Sequence, residues 1–371
     1  MYNNMNNDFF CPAPWTSIFY HKNSSITPCH TNRHNYDKNL SEYLASDWLK
    51  NLRNDFLEGK IPKSCQMCFE RESMGLKSTR QQFLKYSSEI TDVFTRIELR
   101  SSNLCNFKCR MCDASSSSEI QKENSKYPLL EKFNPTHSIE FDRESIDVEE
   151  LKWFIVTQSN LNHICLTGGE PMLIKPYYDL MDYVIAKKLH EKITLDLYTN
   201  CSVYNPLFIE RMLKFKKVIF AMSIDGVGKT AEYQRHGTKW DVVENNIFRY
   251  ISMPVDIVYN TSISPYVLLD VYSLAKFLKR LHDINPTLRS RCYAVTTPRA
   301  LHFENMNVEL RKIAVEQIDK ALEILTPTNF DIFTKELRGI KTQLETTEPK
   351  NTTQFVQYTQ LLDKIRSEKS K

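Results

Sequence analysis

The sequence predicts an α/β fold, a partial (β/α)6 TIM-like barrel with a small cysteine-rich module before it and helices after it. Three observations predict this. Between about residues 95 and 300, strand-like runs alternate with runs of helical period, six times over. Such alternation calls for parallel strands joined by helical crossovers, and six units fit an open barrel better than a closed eight-fold one. Polar residues and glycines stand at the C-terminal ends of the predicted strands, where barrels of this kind carry function. Seven of the ten cysteines lie before residue 113. The division expected is 1–92 for the module, 93–300 for the barrel and 301–371 for the helical extension.

Taken in order, Cys11-Pro-Ala-Pro-Trp15 opens the ordered chain. Ser17–Tyr20, a turn at Lys22–Ser25, and Ile26–Cys29 predict a small hairpin. A helix follows, with Asn39 as N-cap and Glu42 three residues on. Tyr43, Leu44, Trp48, Leu49, Leu52, Phe56 and Leu57 form its apolar face, and Gly59 and Pro62 end it. Cys65-Gln-Met-Cys68 comes next, then a polar helical connector over 70–92. Cys11, Cys29, Cys65 and Cys68 can together satisfy either a closed iron–sulfur cluster or a structural zinc, with His30 as a substitute ligand. Trp15 and Trp48 read as core area for a small segment.

The first barrel strand, Arg96–Ser101, leads into Cys105-Asn-Phe-Lys-Cys109-Arg-Met-Cys112. Three thiols at C-x3-C-x2-C spacing can hold three corners of a four-iron cluster and leave the fourth iron open to a ligand. Zinc would need a fourth Cys or His nearby, and the next residues are Asp-Ala-Ser-Ser-Ser-Ser. Further strands are predicted at 163–167, 192–199, 217–224, 255–263 and 291–296. Helices are predicted at 145–158 (capped by Ser145 or Asp147), 176–188, 205–215, 241–252 and 267–281, then at 307–325 and 350–368.

This pattern resembles the radical S-adenosylmethionine (SAM) superfamily. The resemblance rests on the triad, on Gly168-Gly169-Glu170-Pro171 about 55 residues later at the second strand end, and on residues at two further strand ends. It implies a radical SAM barrel in which Cys105, Cys109 and Cys112 hold a catalytic [4Fe–4S] cluster, with Phe107 within the cofactor-binding loop. Gly168, Gly169 and Glu170 would receive the SAM amino group. Asn200 stands in Tyr198-Thr199-Asn200-Cys201, where relatives have Thr-Asn-Gly, so Cys201 replaces a glycine. Ser223 and Asp225 would bind the ribose, and Arg235 the SAM carboxylate. The bland alternatives are helix and turn caps for the polar residues and a solvated Arg235. Cys165 and Cys292 read as buried thiols, and Cys201 as a core thiol or a hydrogen-atom donor.

The N-terminal cysteines, with Glu72, Gly75, Ser78 and Arg80 downstream, resemble the twitch or SPASM-like auxiliary-cluster segments of the same superfamily, placed ahead of the barrel. The implied enzyme cleaves SAM reductively to a 5′-deoxyadenosyl radical that abstracts hydrogen from a peptide or small molecule. It would draw electrons from a flavodoxin- or ferredoxin-type reductant. The competing reading is a non-catalytic, zinc-stabilised binding protein on a similar barrel.

Composition agrees with a globular protein, at 41% hydrophobic and 25% charged residues. A net charge of +4 is too small to argue for nucleic acid, and no basic patch is interleaved with aromatics. No run reaches membrane-span length, and the polar start lacks a signal peptide's apolar core, so a cytoplasmic location is expected.

Overall fold

The computed structural model describes residues 8–21, 26–32, 34, 39–73, 77–85, 93–135 and 147–368. The turn expected at Lys22–Ser25, Gly75 and the cap at Ser145 lie outside them. Among the described residues ten strands form two sheets: β1 (Ser17–His21), β2 (Ile26–Thr27), β3 (Arg96–Arg100), β4 (Lys108–Cys109), β5 (His163–Leu166), β6 (Thr194–Thr199), β7 (Lys217–Ser223), β8 (Arg235–His236), β9 (Asp256–Ile263) and β10 (Arg289–Ala294). The large sheet has the order β10-β9-β7-β6-β5-β3-β1-β2, and β4 pairs with β8.

All pairs of the large sheet are parallel except the β1–β2 hairpin. The six expected barrel strands are β3, β5, β6, β7, β9 and β10, and helical crossovers link them. The fold is therefore the mostly parallel α/β sheet of a partial barrel. The N-terminal hairpin also enters it: β1 pairs in parallel with β3, Ser17 opposite Arg96 through His21 opposite Arg100.

Caps fix the helix starts. Asn39 accepts from the Glu42 amide at 2.8 Å. The single helix expected over residues 40–57 is two, Leu40–Ala45 and Asp47–Leu57, because Ser46 breaks the first and caps the second. Asp147 caps Val148–Thr157. Three helices follow the barrel rather than two: Val308–Leu325, Asp331–Thr346 and Thr352–Arg366. The unforeseen one buries Phe333, Leu337, Ile340 and Leu344, a clear helical period. No helix among the described residues is long and apolar enough to cross a membrane.

Candidate functional site

The triad loop leaves the C-terminal end of β3 and is fastened on several sides. Within it, β4 pairs antiparallel with β8, so Cys109 faces Arg235. The Arg110 amide donates to the Gln234 carbonyl at 2.9 Å. The Ser117 hydroxyl donates to Phe107 O at 2.6 Å, and Asn134 Nδ2 to Cys112 O at 2.8 Å. Phe107 is buried, and the Gly237 Cα region packs on its ring so closely that an added Cβ would stand 3.2 Å from its Cδ1.

The Gly168–Gly169 turn packs directly on the strand leading to Cys105. Gly169 N donates to Ser102 O at 2.9 Å and Glu170 N to Leu104 O at 2.8 Å. A Cβ on Gly169 would lie 2.0 Å from Leu104 O, and one on Gly168, whose φ is +117°, 2.5 Å from Ser102 O. Only glycine permits that approach. Glu170 is fully buried, and burial pushes its carboxyl up to about 7 against the donors around it. Those donors are the Asn200 amide at 2.7 Å, the Thr199 hydroxyl at 2.8 Å and the Met172 amide at 3.4 Å. The Glu170 side chain thus ties two strand ends together, while the glycine backbone faces the triad loop.

From the next strand end, Asn200 Nδ2 reaches Asn106 Oδ1 at 3.0 Å and Cys105 Sγ at 3.8 Å. Cys201 takes φ +61°, a left-handed backbone that glycine adopts without strain and other residues rarely do. Its thiol is wholly buried, lies against the Ser223 backbone, and is driven well up in pKa by burial. Ser223 is half-buried at the end of β7.

Arg235 is not solvated. It is buried, its Nε lies 2.6 Å from Asp225 Oδ2, and its Nη1 lies 3.8 Å from Cys109 Sγ. Asp225 also accepts from the Ser262 amide at 2.7 Å. The two residues expected at ribose and carboxylate hold each other, and the guanidinium sets Nη1 toward Cys109.

The site therefore brings Cys105, Cys109, Cys112, the glycine turn, Asn200 and Arg235 to one mouth. Burial, with Cys109 beside it, pushes Cys105 up to about 12. Cys109 is held down by a hydrogen bond from Cys112 and, against burial, by Arg235. Amide and guanidinium donors aimed at thiol sulfurs suit thiolates bound to a metal, so the donor set fits an iron–sulfur cluster.

Sequence reasoning missed Arg110, between two triad cysteines. It is wholly buried, stands 3.6 Å over the Tyr233 ring and contacts Asp363 and Glu368 at 2.5 Å each. Tyr358 OH donates to its carbonyl at 2.9 Å. Its partners lie about 250 residues away, and only the burial of so polar a side chain marks it.

Cys11, Cys29, Cys65 and Cys68 line a second, separate cavity with Thr31, Asn32, Phe56, Phe69, Arg80 and Phe83. Asn32 Nδ2 donates to Cys65 Sγ at 3.4 Å, and the Thr31 hydroxyl lies 3.2 Å from Cys29 Sγ and 3.7 Å from Cys68 Sγ. An ion pair closes the cavity. Arg80 Nε donates to Glu72 Oε1 at 3.0 Å and Nη1 to Phe10 O at 2.8 Å, which draws the Cys11 segment onto the Cys65–Cys68 helix. Burial pushes Cys29 up to about 11 and Cys65 up to about 12. His30 turns to Glu98 at 3.2 Å instead of lining the cavity. Among the described residues, no three His, Cys, Asp or Glu side chains gather around one point as a lone ion requires.

A profile of the radical SAM superfamily matches residues 99–285, half of the chain. A search of curated proteins finds no match. Among solved structures, the chain is similar to anSMEcpe with bound AdoMet, at 16% identity and TM-score 0.45, over 64% of each chain. It is similar to SuiB of Streptococcus suis bound to S-adenosylmethionine, at 14% identity and TM-score 0.44, over 78% of this chain and 61% of that one. For TYW1 with a lysine-pyruvate adduct the values are 12%, 0.35, 64% and 72%. The chain spans under two thirds of the length of anSMEcpe and of SuiB.

Proposed function

The chain belongs to the radical SAM superfamily and is an enzyme, and on that premise we propose that its thiol triad and strand-end residues form the SAM-cleaving site. Membership implies a [4Fe–4S] cluster and SAM. Cys105, Cys109 and Cys112 would hold the cluster. When bound and reduced, that cluster supplies the electron that cleaves SAM to a 5′-deoxyadenosyl radical, which abstracts hydrogen from the substrate.

The chain's own residues orient and exclude water. The Gly168–Gly169 backbone is pressed against the Ser102 and Leu104 carbonyls, an approach to the triad loop that only glycine allows. Asn200 and Arg235 donate toward Cys105 and Cys109 and favour the thiolates. Glu170 holds the glycine turn in place and is a positioning residue for the amino-group site. Ser223 and Asp225 remain the proposed ribose contacts. Asp225 acts also by fixing Arg235, and a SAM carboxylate would have to share that guanidinium. Phe107 is buried within the loop.

Four thiols around one cavity, with amide and hydroxyl donors aimed at their sulfurs, support an auxiliary iron–sulfur site at Cys11, Cys29, Cys65 and Cys68. Its zinc alternative has the same ligands. We propose 1–92 as the auxiliary module, 93–300 as the barrel and 301–371 as the helical extension, acting on a peptide or small molecule with an external flavodoxin- or ferredoxin-type reductant, in the cytoplasm.

The observation that carries the reading is the meeting of Asn200 with Cys105 and of Arg235 with Cys109 at one mouth. Anaerobic reconstitution tests it. About seven or more irons per chain, with 5′-deoxyadenosine released on reduction, are expected. Cys109→Ala should lose that release entirely. One zinc per chain and no SAM cleavage would sink the reading.

A further inference from the structure

One face of the central strands is charged where the other is apolar. On β3, Ile97 and Leu99 are fully buried, and Arg96, Glu98 and Arg100 take the alternate face. Register carries that face across the sheet: Arg96 lies opposite His163, Glu98 opposite Cys165, and Cys165 opposite Asp196. Two residues beyond Asp196, the Tyr198 hydroxyl accepts from Arg291. Three guanidiniums thus share this face with two carboxylates. Arg96 lies 4.0 Å from Asp196, His163 lies 3.7 Å from the same carboxylate, and His30 lies 3.2 Å from Glu98. Burial pushes Glu98 up, but His30, Arg96 and Arg100 outweigh it and hold the carboxyl at about 2.

Arg100 faces the Glu98 carboxylate through charge alone. Its Nε is sealed from solvent and bonds to nothing among the described residues. Its guanidinium sits 5.6 Å over the Phe19 ring of β1. Its stem borders the glycine turn, with Cγ 3.7 Å from where a Gly168 Cβ would stand. It therefore lies between the N-terminal cysteine segment and the mouth. It leans toward β1, away from the strand ends that carry Glu170, Asn200 and Asp225. A guanidinium presents five donors in a fork matched to carboxylate or phosphate, and a buried donor without an acceptor is costly.

We propose that Arg100 anchors an oxyanion of the substrate, a carboxylate or a phosphate, at the β1 edge of the barrel mouth. The assignment to substrate rests on the radical SAM reading of the site. SAM brings a carboxylate of its own, but only the Arg100 stem borders the glycine turn proposed for SAM, while the guanidinium sits over Phe19 on β1.

The test uses the reconstituted full-length protein, titrated with inorganic phosphate and separately with glutarate against chloride at matched ionic strength, while thermal unfolding is followed. Wild type should unfold at a higher temperature with at least one of the two oxyanions. Which one acts identifies the group. In Arg100→Met the apparent affinity should fall about tenfold or more, and Arg100→Lys, which keeps charge without the fork, should retain part of the response. Wild type responding no more than to chloride, or Arg100→Met responding equally, overturns the proposal. So does a tenfold loss of SAM affinity in Arg100→Met, which would make the residue a SAM ligand. Release of 5′-deoxyadenosine by wild type is scored separately. An oxyanion response without SAM cleavage keeps the anchor and removes the reading it rests on.

Discussion

At the scale of single residues, the mouth is built on backbone contacts too close for any side chain. Gly169→Ala would drive a Cβ into Leu104 O, a main-chain atom that a rotamer change cannot relieve. The turn must move, at about 1–3 kcal/mol, and should take SAM binding with it. Gly339 is the opposite case. It lies inside the helix Asp331–Thr346 with nothing within 4 Å of its would-be Cβ. Gly339→Ala should stabilise by about 0.5–1 kcal/mol. Chemical denaturation of both variants, with SAM binding by equilibrium dialysis, checks the pair. Equal effects would mean the glycine turn is not packed as described. Cys201 is also instructive. The departure from Thr-Asn-Gly left the local backbone open in the sequence, and the structure answers with a left-handed φ and a buried thiol. A hydrogen-atom donor must reach substrate, and this thiol faces core.

At the scale of elements, the C-terminal helix Thr352–Arg366 grips the triad loop on both flanks of Cys109. Arg110 reaches Asp363 and Glu368, and Lys108 shares Glu123 with Arg366, at 2.8 and 2.7 Å. Burial pushes Glu123 and Glu368 up, but Arg366 and Lys108 on the first, and His236 and Arg110 on the second, outweigh it. Both carboxyls sit below their ordinary 4.5. A depressed folded pKa gives stability that is present above the ordinary value and lost as pH falls through the folded one. Hydrogen exchange in residues 352–366, corrected for its intrinsic rate, should therefore accelerate as pH falls below the ordinary carboxylate range. Protection unchanged by acid would contradict the grip. Arg110→Met, which leaves two carboxylates without their buried partner, should cost about 3 kcal/mol and lower iron content. None of this could be read from Cys-Arg-Met-Cys alone, because the partners of Arg110 stand about 250 residues downstream. The helix Asp331–Thr346 was legible in its period, Phe333, Leu337, Ile340, Leu344, yet Gly339 and its run of polar residues weaken the local signal.

At the scale of the whole molecule, alternation of strand and helix sufficed for the six barrel strands, because a period of two against one of 3.6 is a local property of the chain. The partner of β1 was not legible, since a five-residue strand pairs as readily in a hairpin as with a distant edge, and here it does both. That pairing has a mechanical consequence. One hydrophobic core runs from Phe10 and Trp15 through Leu49 and Phe56 to Ile97, Leu99 and the barrel helices. The Thr95 amide donates to Thr16 O at 2.9 Å, which extends the β1–β3 seam by one residue ahead of its first strand pair. Deleting residues 1–92 would strip β3 of its β1 neighbour, leave it an open edge and expose Ile97, so the remainder should not fold on its own. Removing a proposed auxiliary ligand alone is a different operation. Cys68→Ala leaves β1, Tyr43, Leu49 and Phe56 in place. It should lower iron by about four per chain while the triad keeps its own complement. Far-ultraviolet circular dichroism and iron analysis on the two proteins separate these effects. A truncated chain with native helicity and a cooperative melt would show that the N-terminal segment is an appendage, and loss of all iron in Cys68→Ala would show that the two thiol sites assemble as one.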